Sequence, residues 1–415
     1  MAIKGKISFP GDKSISHRAL MFAALADGDS RISNLPTGAD VQSTRTCLEA
    51  CGIQIKDVGD DVVVTGGGFS DPDQPLDCGN SGTTIRLLLG LLASQGINAT
   101  FIGDNSLSNR PMNRILDPLS QMELESNSNE GKIPVTIHKS NIKGITYQSP
   151  VASAQIKSAV LLAGLGADGK TSVTEPFLSR DHTEKMLKRL GANLSTNGVL
   201  STTSRLISPL SNFNLSVPGD PSSAAFFAAT AAIVPESEII LNGILHNPTR
   251  MGFYSALQKM GAGMDFIDTW EEAGETIGTL KVFHQPLKGI TITKDEVPGL
   301  IDELPIVVIL ATQANGKSEI RGAEELRVKE CDRIHAVCKN LNKMGADIKE
   351  LHDGFIIYGP KQLNGAEIKT FHDHRIAMAF TIAGLVANGD VTLDYPECVS
   401  ISFPEFYSEL ERLRQ

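Results

Sequence analysis

The chain has no apolar run approaching the ~20 residues that a membrane-spanning helix needs, no low-complexity tract and no long block of like charge. Residues Met1 to Lys6 lack the basic-then-apolar pattern of a secretory leader, so a cytoplasmic protein with no membrane partner is expected. Cysteine is sparse, with six in 415 residues, and no CxxC has a matching second pair. Cys47 and Cys51 stand four apart on an expected helix, while Cys78, Cys331, Cys338 and Cys398 are scattered. This pattern speaks against a zinc site, and a disulfide framework is out of place at this length, so reduced structural thiols are expected. Net charge is −10 and the Lys and Arg residues are dispersed, which speaks against a nucleic-acid partner. An acidic protein still binds a small anion where its cations converge.

What the chain does contain is a phrase used twice. Pro10-Gly11-Asp12-Lys13-Ser14 leads into an Ala-rich apolar stretch, and Pro218-Gly219-Asp220-Pro221-Ser222-Ser223 leads into another. Only the first copy carries a lysine. Polar signatures of this kind recur about every 70 residues: Lys13-Ser14, Asn80 to Thr84, Ser153-Ala154-Gln155, Asp220 to Ser223, Asp302-Glu303 and Asp373-His374-Arg375. Each precedes a helix of small and apolar residues, then a Gly-containing exit such as Ala167-Asp168-Gly169 or Ala387-Asn388-Gly389, then a β-branched strand. Stretches such as Ala159 to Leu165 and Ile306 to Ala311 are apolar on most faces and so are expected to be buried. More amphipathic helices, such as Val41 to Ala50 and Thr183 to Leu190, lie between them.

The expected fold is α/β: two similar domains, each of three repeated β-α-β-α-β-β units with buried helices, an inside-out α/β barrel with pseudo-sixfold repetition. The two copies of the phrase mark the crossings. One domain is expected at 12–218, the other at 1–11 plus 219–415, with a hinge near Gly11-Asp12 and Pro218-Gly219.

The polar signatures sit at helix starts, where unpaired N–H groups and the positive end of the macrodipole attract anions. Ser, Thr, Asp and Asn there are also ordinary N-caps, and for Asp220-Pro221-Ser222-Ser223 capping is the preferred reading. Lys13 and Arg375 carry the wrong charge for a helix start unless an anion joins them. Lys13 is not part of an ATP-type phosphate loop, because Asp12 stands where that motif needs Gly. Arg18 lies one turn beyond Ser14 on the same face, so Lys13, Ser14 and Arg18 can meet one ligand. The densest charge run, Arg327 to Arg333, would as an isolated feature be a solvated helix face. Beside Arg110 and Arg375, however, Arg333 completes a set of guanidinium forks suited to carboxylate and phosphate. Gly82 lets a small ligand approach the backbone.

Taken together, Gly11 to Ala19, Gly79 to Thr83, Arg110-Pro111-Met112, Ser153-Ala154-Gln155, Arg180-Asp181-His182-Thr183-Glu184, Arg327 to Arg333 and Asp373-His374-Arg375 resemble the 5-enolpyruvylshikimate-3-phosphate synthase family, in its second bacterial branch. The resemblance runs to Ser402-Phe403-Pro404. It implies two domains closing over shikimate 3-phosphate and phosphoenolpyruvate, in the pathway to chorismate and the aromatic amino acids. Lys13, Ser14, Arg18, Ser153, Ala154, Gln155, Arg180, Asp302 and Lys329 would hold shikimate 3-phosphate. Lys13, Gly82, Arg110, Gln155, Arg333 and Arg375 would hold phosphoenolpyruvate. Asp302 is the candidate base for the 5-hydroxyl, Glu330 the candidate for methyl proton exchange, and Lys13 neutralises charge. No metal or organic cofactor is implied, and a monomer is expected. Ala154 replaces a second Ser of the better-known branch, Glu325-Leu326 stands where Asn-Trp is common, Leu87 follows Arg86 where Pro is familiar, and Ile401 stands where a phosphoenolpyruvate-binding Lys is often found. Retention of Gly82 implies inhibition by glyphosate.

Two rival readings differ in kind. The sister enzyme acting on UDP-N-acetylglucosamine usually carries a reactive Cys a few residues before the Arg-Pro, and Gly103 to Asn109 contains none. A non-catalytic anion-binding protein would gain nothing from Asp302 and Glu330 beside its ligand. His246, His284 and His352 read as structural or surface residues, and Arg375 beside His372-Asp373-His374 disfavours a metal there.

Overall fold

The computed structural model describes residues 2–272 and 274–414. The repeat appears as a recurring order of elements. In the second unit a leading strand, Leu76–Asp77, enters the buried helix Gly82–Gln95, then strand Ala99–Ile102, the amphipathic helix Asn113–Gln121, and a hairpin of Ser126–Asn129 and Lys132–Ile137. The leading strand pairs parallel to the strand after the helix, and the hairpin extends that sheet antiparallel. A parallel pair needs a crossover, and the apolar helix supplies it. The third unit repeats this with Thr146–Gln148, Ala154–Gly164, Lys170–Thr174, His182–Arg189, Leu194–Asn197 and Leu200–Ser204. The fifth does so with Thr291–Ile292, Leu304–Gln313, Gly316–Ile320, Arg333–Lys343, Asp347–Leu351 and Gly354–Gly359.

The first and fourth units exchange leading strands. Lys4–Ser8 pairs parallel with Glu238–Leu245 of the fourth unit. Leu210–Ser211 and Asn214–Ser216 pair parallel with Ala26–Ser33 of the first. Accordingly the chain falls into two compact units. One is Gly11–Val217 with Glu272–Glu275; the other is the segment up to Pro10, Pro218–Glu271 and the residues from Thr276 onward. The sixth repeat departs from the expected β-α-β-α-β-β order. After Glu367–Ile368, His374–Gly384 and Thr392–Leu393 the described residues form no hairpin; a 3-10 stretch, Pro396–Ile401, leads to the helix Phe406–Arg412. Phe406 packs edge-on against Phe226 and Phe227, so this last helix buries its apolar face on the core helix Pro221–Ile233.

The first helix of each unit is buried because it is apolar nearly all round. Pro221–Ile233 is buried at every position, and Leu304–Gln313 at all but its last. All six cysteines are free, five of them buried. No helix among the described residues is long and apolar enough to cross a membrane. In the first compact unit, helices Gly82–Gln95 and Ala154–Gly164 pack backbone to backbone: a Cβ on Gly90 would lie 2.0 Å from the Ala159 carbonyl oxygen. Gly90→Ala is therefore expected to destabilise the fold by about 1–3 kcal/mol. An unchanged denaturant midpoint would contradict that packing.

Candidate active site

Every buried helix must dispose of its first amide N–H groups. Side-chain caps take part of the load. Asp12 Oδ1 accepts from the Ile15 N–H at 2.8 Å, Ser81 Oγ from Thr84 at 3.2 Å, Ser153 Oγ from Ile156 at 3.5 Å, Asp220 Oδ1 from Ser222 at 2.7 Å and Asp373 Oδ1 from Arg375 at 2.9 Å. Around these caps the sequence-derived residues gather in two sets, one in each compact unit.

The first set is a chain of contacts across three helix starts. Lys13 Nζ lies 2.8 Å from Asp40 Oδ2. Ser14 Oγ accepts from Arg180 Nη1 at 3.3 Å, and the Ser14 carbonyl accepts from Arg18 Nη1 at 2.8 Å. Arg18 is only 3% exposed and also donates through Nε to Thr183 Oγ1 and through Nη2 to Ser158 Oγ, at 2.7 and 2.8 Å. It thus braces Ser14 from behind and ties the first helix to the third unit. Ser153, Ala154 and Gln155 open the Ala154–Gly164 helix and are half-buried. Gln155 Oε1 accepts from Arg86 Nη1 at 2.6 Å, and its Nε2 donates to Thr83 Oγ1 at 3.0 Å. Arg110 Nη2 donates to Asn80 Oδ1 at 2.6 Å. A Cβ on Gly82 would lie 3.1 Å from Arg86 Nη1 and 3.2 Å from Arg110 Nη1, so Gly82 forms the floor between two guanidinium groups. His17, buried behind Lys13, adds no charge: burial pushes its pKa down to about 3, and Nδ1 meets Thr44 Oγ1 at 2.6 Å.

The second set is a charge cluster. Asp302 Oδ1 lies 3.3 Å from Lys329 Nζ and 3.6 Å from Arg333 Nη1. Arg333 is 1% exposed and contacts two further carboxylates: Glu330 Oε2 at 2.6 Å from Nη2, and Asp373 Oδ2 at 2.7 Å from Nε. Burial opposes its charge, but Asp373 and Glu330 outweigh it and hold the guanidinium above its ordinary pKa. Arg375 Nη1 donates to the Asp302 carbonyl at 3.1 Å and lies 3.9 Å from Glu303 Oε1. Cys331, beside Glu330, stays a thiol because burial and Asp373 push its pKa up.

Arg86 escaped the sequence reading. It is 8% exposed in an otherwise apolar helix, and a lone arginine in such a helix needs a polar destination. Arg110 lies in the loop just after a helical turn, Asn105–Ser108, which Asp104 caps by accepting from the Leu107 N–H. Asp181, His182 and Glu275 bring three potential metal-ligand atoms within 4.8 Å of one another. Lys185 Nζ lies 3.0 Å from Glu275 and 3.8 Å from Asp181, so an ammonium already supplies the balancing charge.

The family model described as EPSP synthase (3-phosphoshikimate 1-carboxyvinyltransferase) matches residues 1–410. The chain belongs to the EPSP synthase family. It is 47% identical over 420 residues to the 3-phosphoshikimate 1-carboxyvinyltransferase of Thermodesulfovibrio yellowstonii, covering 100% of this chain and 98% of that relative. Among solved structures it resembles the EPSP synthase of Acinetobacter baumannii, with a TM-score of 0.87, 41% identity, and coverage of 99% of this chain and 96% of the other. The enolpyruvyl transferase NikO of Streptomyces tendae has the same fold, with a TM-score of 0.77 at 18% identity over 99% of this chain and 95% of its own. Both neighbours have the two-domain inside-out α/β fold of the family.

In the EPSP synthase frame, Gly82 has a steric role that can be measured. Gly82→Ala places a methyl group closer to Arg86 and Arg110 than ordinary contact allows, so both guanidinium groups must shift by a few tenths of an ångström. The expected outcome is a rise of about tenfold in KM for phosphoenolpyruvate, with KM for shikimate 3-phosphate within about twofold of wild type. Equal rises in both would assign Gly82 to folding.

Proposed function

We propose that this chain transfers the enolpyruvyl group of phosphoenolpyruvate to the 5-hydroxyl of shikimate 3-phosphate and releases inorganic phosphate. The observation that carries this reading is the pair of carboxylates, Asp302 and Glu330, both held by Arg333. A protein that only bound anions would have no use for them there. Lys13, Ser14, Arg18, Ser153, Ala154, Gln155, Arg180 and Lys329 serve shikimate 3-phosphate, with Asp302 on its hydroxyl. Gly82, Arg110, Gln155, Arg333 and Arg375, with Lys13, serve phosphoenolpyruvate.

The steps follow from the chemistry of these groups. Asp302 takes the proton of the 5-hydroxyl as its oxygen attacks C2 of phosphoenolpyruvate. Glu330 takes up a proton as the bound anions draw Arg333 away from it and delivers that proton to the methylene carbon, giving a tetrahedral adduct that carries the phosphate. The C2–O bond to phosphate then breaks, and the Glu330 carboxylate removes a proton from the new methyl group to form the enol ether. Lys13 and the guanidinium groups neutralise the departing phosphate. Arg375, by donating to the Asp302 carbonyl, holds the base in place. Asp302 is also fixed between Lys329 and Arg333, so little ordering remains to be done when the substrate arrives. Six free cysteines support a reducing, cytoplasmic setting.

Phosphate release is expected only when both substrates are present; none under those conditions would sink the assignment. Asp302→Ala and Glu330→Ala are each expected to lower kcat about 10²-fold or more, the usual weight of general acid–base help, with both KM values moving only a few-fold. Turnover near wild type in either variant would refute its role.

A further inference from the structure

Lys157 is a lysine in the middle of the apolar helix Ala154–Gly164, and its side chain is 1% exposed. Its Nζ lies 2.8 Å from Glu175 Oε2 and 2.9 Å from Glu184 Oε1, two carboxylates that are themselves buried. Glu184 Oε1 also accepts from Ser201 Oγ at 3.1 Å, which anchors the cluster to strand Leu200–Ser204. Burial works against the ammonium, but Glu184 and Glu175 outweigh it and hold Lys157 above its ordinary pKa. Lys157 therefore keeps its charge across the neutral range.

Stability alone does not account for such a group. Burying three charges carries a desolvation cost that well-packed apolar residues of the same size avoid. What ions can do, and apolar residues cannot, is hold backbone amides at set places. Glu175 does so twice. Its Oε1 accepts the Ser153 N–H at 2.9 Å, and its Oε2 accepts the Ser179 N–H at 3.4 Å. Lys157 Nζ lies 3.5 Å from the Ser179 carbonyl. Ser153 caps the helix that Gln155 opens, and Ser179 precedes Arg180, whose Nη1 reaches Ser14 Oγ at 3.3 Å. One carboxylate thus sets the spacing between two loops.

We infer that Glu175, held by Lys157 and Glu184, is a positioning residue that sets the distance between the Ser153–Gln155 turn and Arg180, and so the fit of the phosphate of shikimate 3-phosphate. This rests on the function proposed above, which gives both loops to that phosphate. Glu175 does not itself touch substrate; it acts through Ser153 and Arg180.

The test is steady-state kinetics of the full chain with each substrate varied in turn. Glu175→Ala is expected to raise KM for shikimate 3-phosphate about tenfold, the weight of one charge-assisted hydrogen bond, with kcat and KM for phosphoenolpyruvate within about twofold. Glu175→Gln keeps an oxygen for the Ser153 N–H and is expected to restore that KM to within about threefold of wild type. An unchanged KM in the alanine variant, a parallel rise in both KM values, or a glutamine variant no better than alanine would each overturn the inference. Where the alanine variant does not fold, Glu175→Asp keeps the charge beside Lys157 but withdraws the oxygen by one methylene. The same selective rise is then expected, and a wild-type KM overturns it. Should the wild-type chain fail to turn over shikimate 3-phosphate, the proposed function falls by itself. Titration with inorganic phosphate then decides the positioning claim: weaker binding in Glu175→Asp than in wild type supports it, and equal binding overturns it.

Discussion

A helix that is apolar on every face has only its two ends to offer to polar chemistry. Pro221–Ile233 and Leu304–Gln313 leave almost no side-chain surface for water or ligand, and Gly82–Gln95 and Ala154–Gly164 are nearly as dry. Their first amide groups still need acceptors, and one capping side chain satisfies only one or two of them. The remaining donors, together with the positive end of each dipole, make every such start a place where an anion is stable. This explains why residues as far apart in the chain as Ser14, Arg86, Gln155 and Arg180 belong to one connected set.

The two sets divide the work by charge. The first gathers Lys13, Arg18, Arg86, Arg110 and Arg180; Lys13 pairs with Asp40, and the guanidinium groups meet the hydroxyl, amide and carbonyl oxygens of Thr183, Gln155, Asn80 and Ser14. In the second, Asp302, Glu303, Glu330 and Asp373 face Lys329, Arg333 and Arg375. An excess of cations suits the holding of phosphate; an excess of carboxylates suits the carrying of protons. The second set has a further consequence. A carboxylate paired with a guanidinium is stabilised in its ionised form and is a weak base. An anion that joins Arg333 takes a share of its donors and so loosens its hold on Asp302 and Glu330. In the proposed function, arrival of phosphoenolpyruvate and the basicity of Asp302 and Glu330 would thereby be coupled through one side chain.

Much of this was legible in the chain itself, because the repeat is written in residues that have local reasons to be there. Helices expected at Val41 to Ala50 and Thr183 to Leu190 run Ala39–Ala50 and His182–Arg189. Charges at helix starts pointed to Lys13 and Arg375 without any knowledge of tertiary contacts. What was hidden depends on pairing over long separations. Nothing near Lys4–Ser8 says that its strand partner begins at Glu238. Spacing on a helix put Arg18 on the face of Ser14, but not that its guanidinium would turn to Thr183 and Ser158. Lys157 did leave a signal: a single charge inside an all-apolar helix has to be paired. Its partners could not be read, since Glu175 and Glu184 lie in the next strand-to-helix connection and the next helix.

The duplicated phrase gains its meaning only from the structure. In the first copy the helix opens with Lys13, which offers a cation beside the cap. In the second copy Pro221 takes that place, and proline, with φ already helical and no N–H to satisfy, can present no charge. Asp220 caps Ser222 and pairs with the buried Arg250 at 3.1 Å, while the Ser222 hydroxyl donates to Glu303, the neighbour of Asp302. The second helix start is therefore tied to the protein's own carboxylates, Asp220 as its cap and Glu303 through the Ser222 hydroxyl. A helix N-terminus can serve a ligand or the protein's own anions, but the same donors cannot do both. Both copies spend an aspartate on the cap, Asp12 or Asp220, and they differ in the residue that follows it, a cation in the first and a proline in the second.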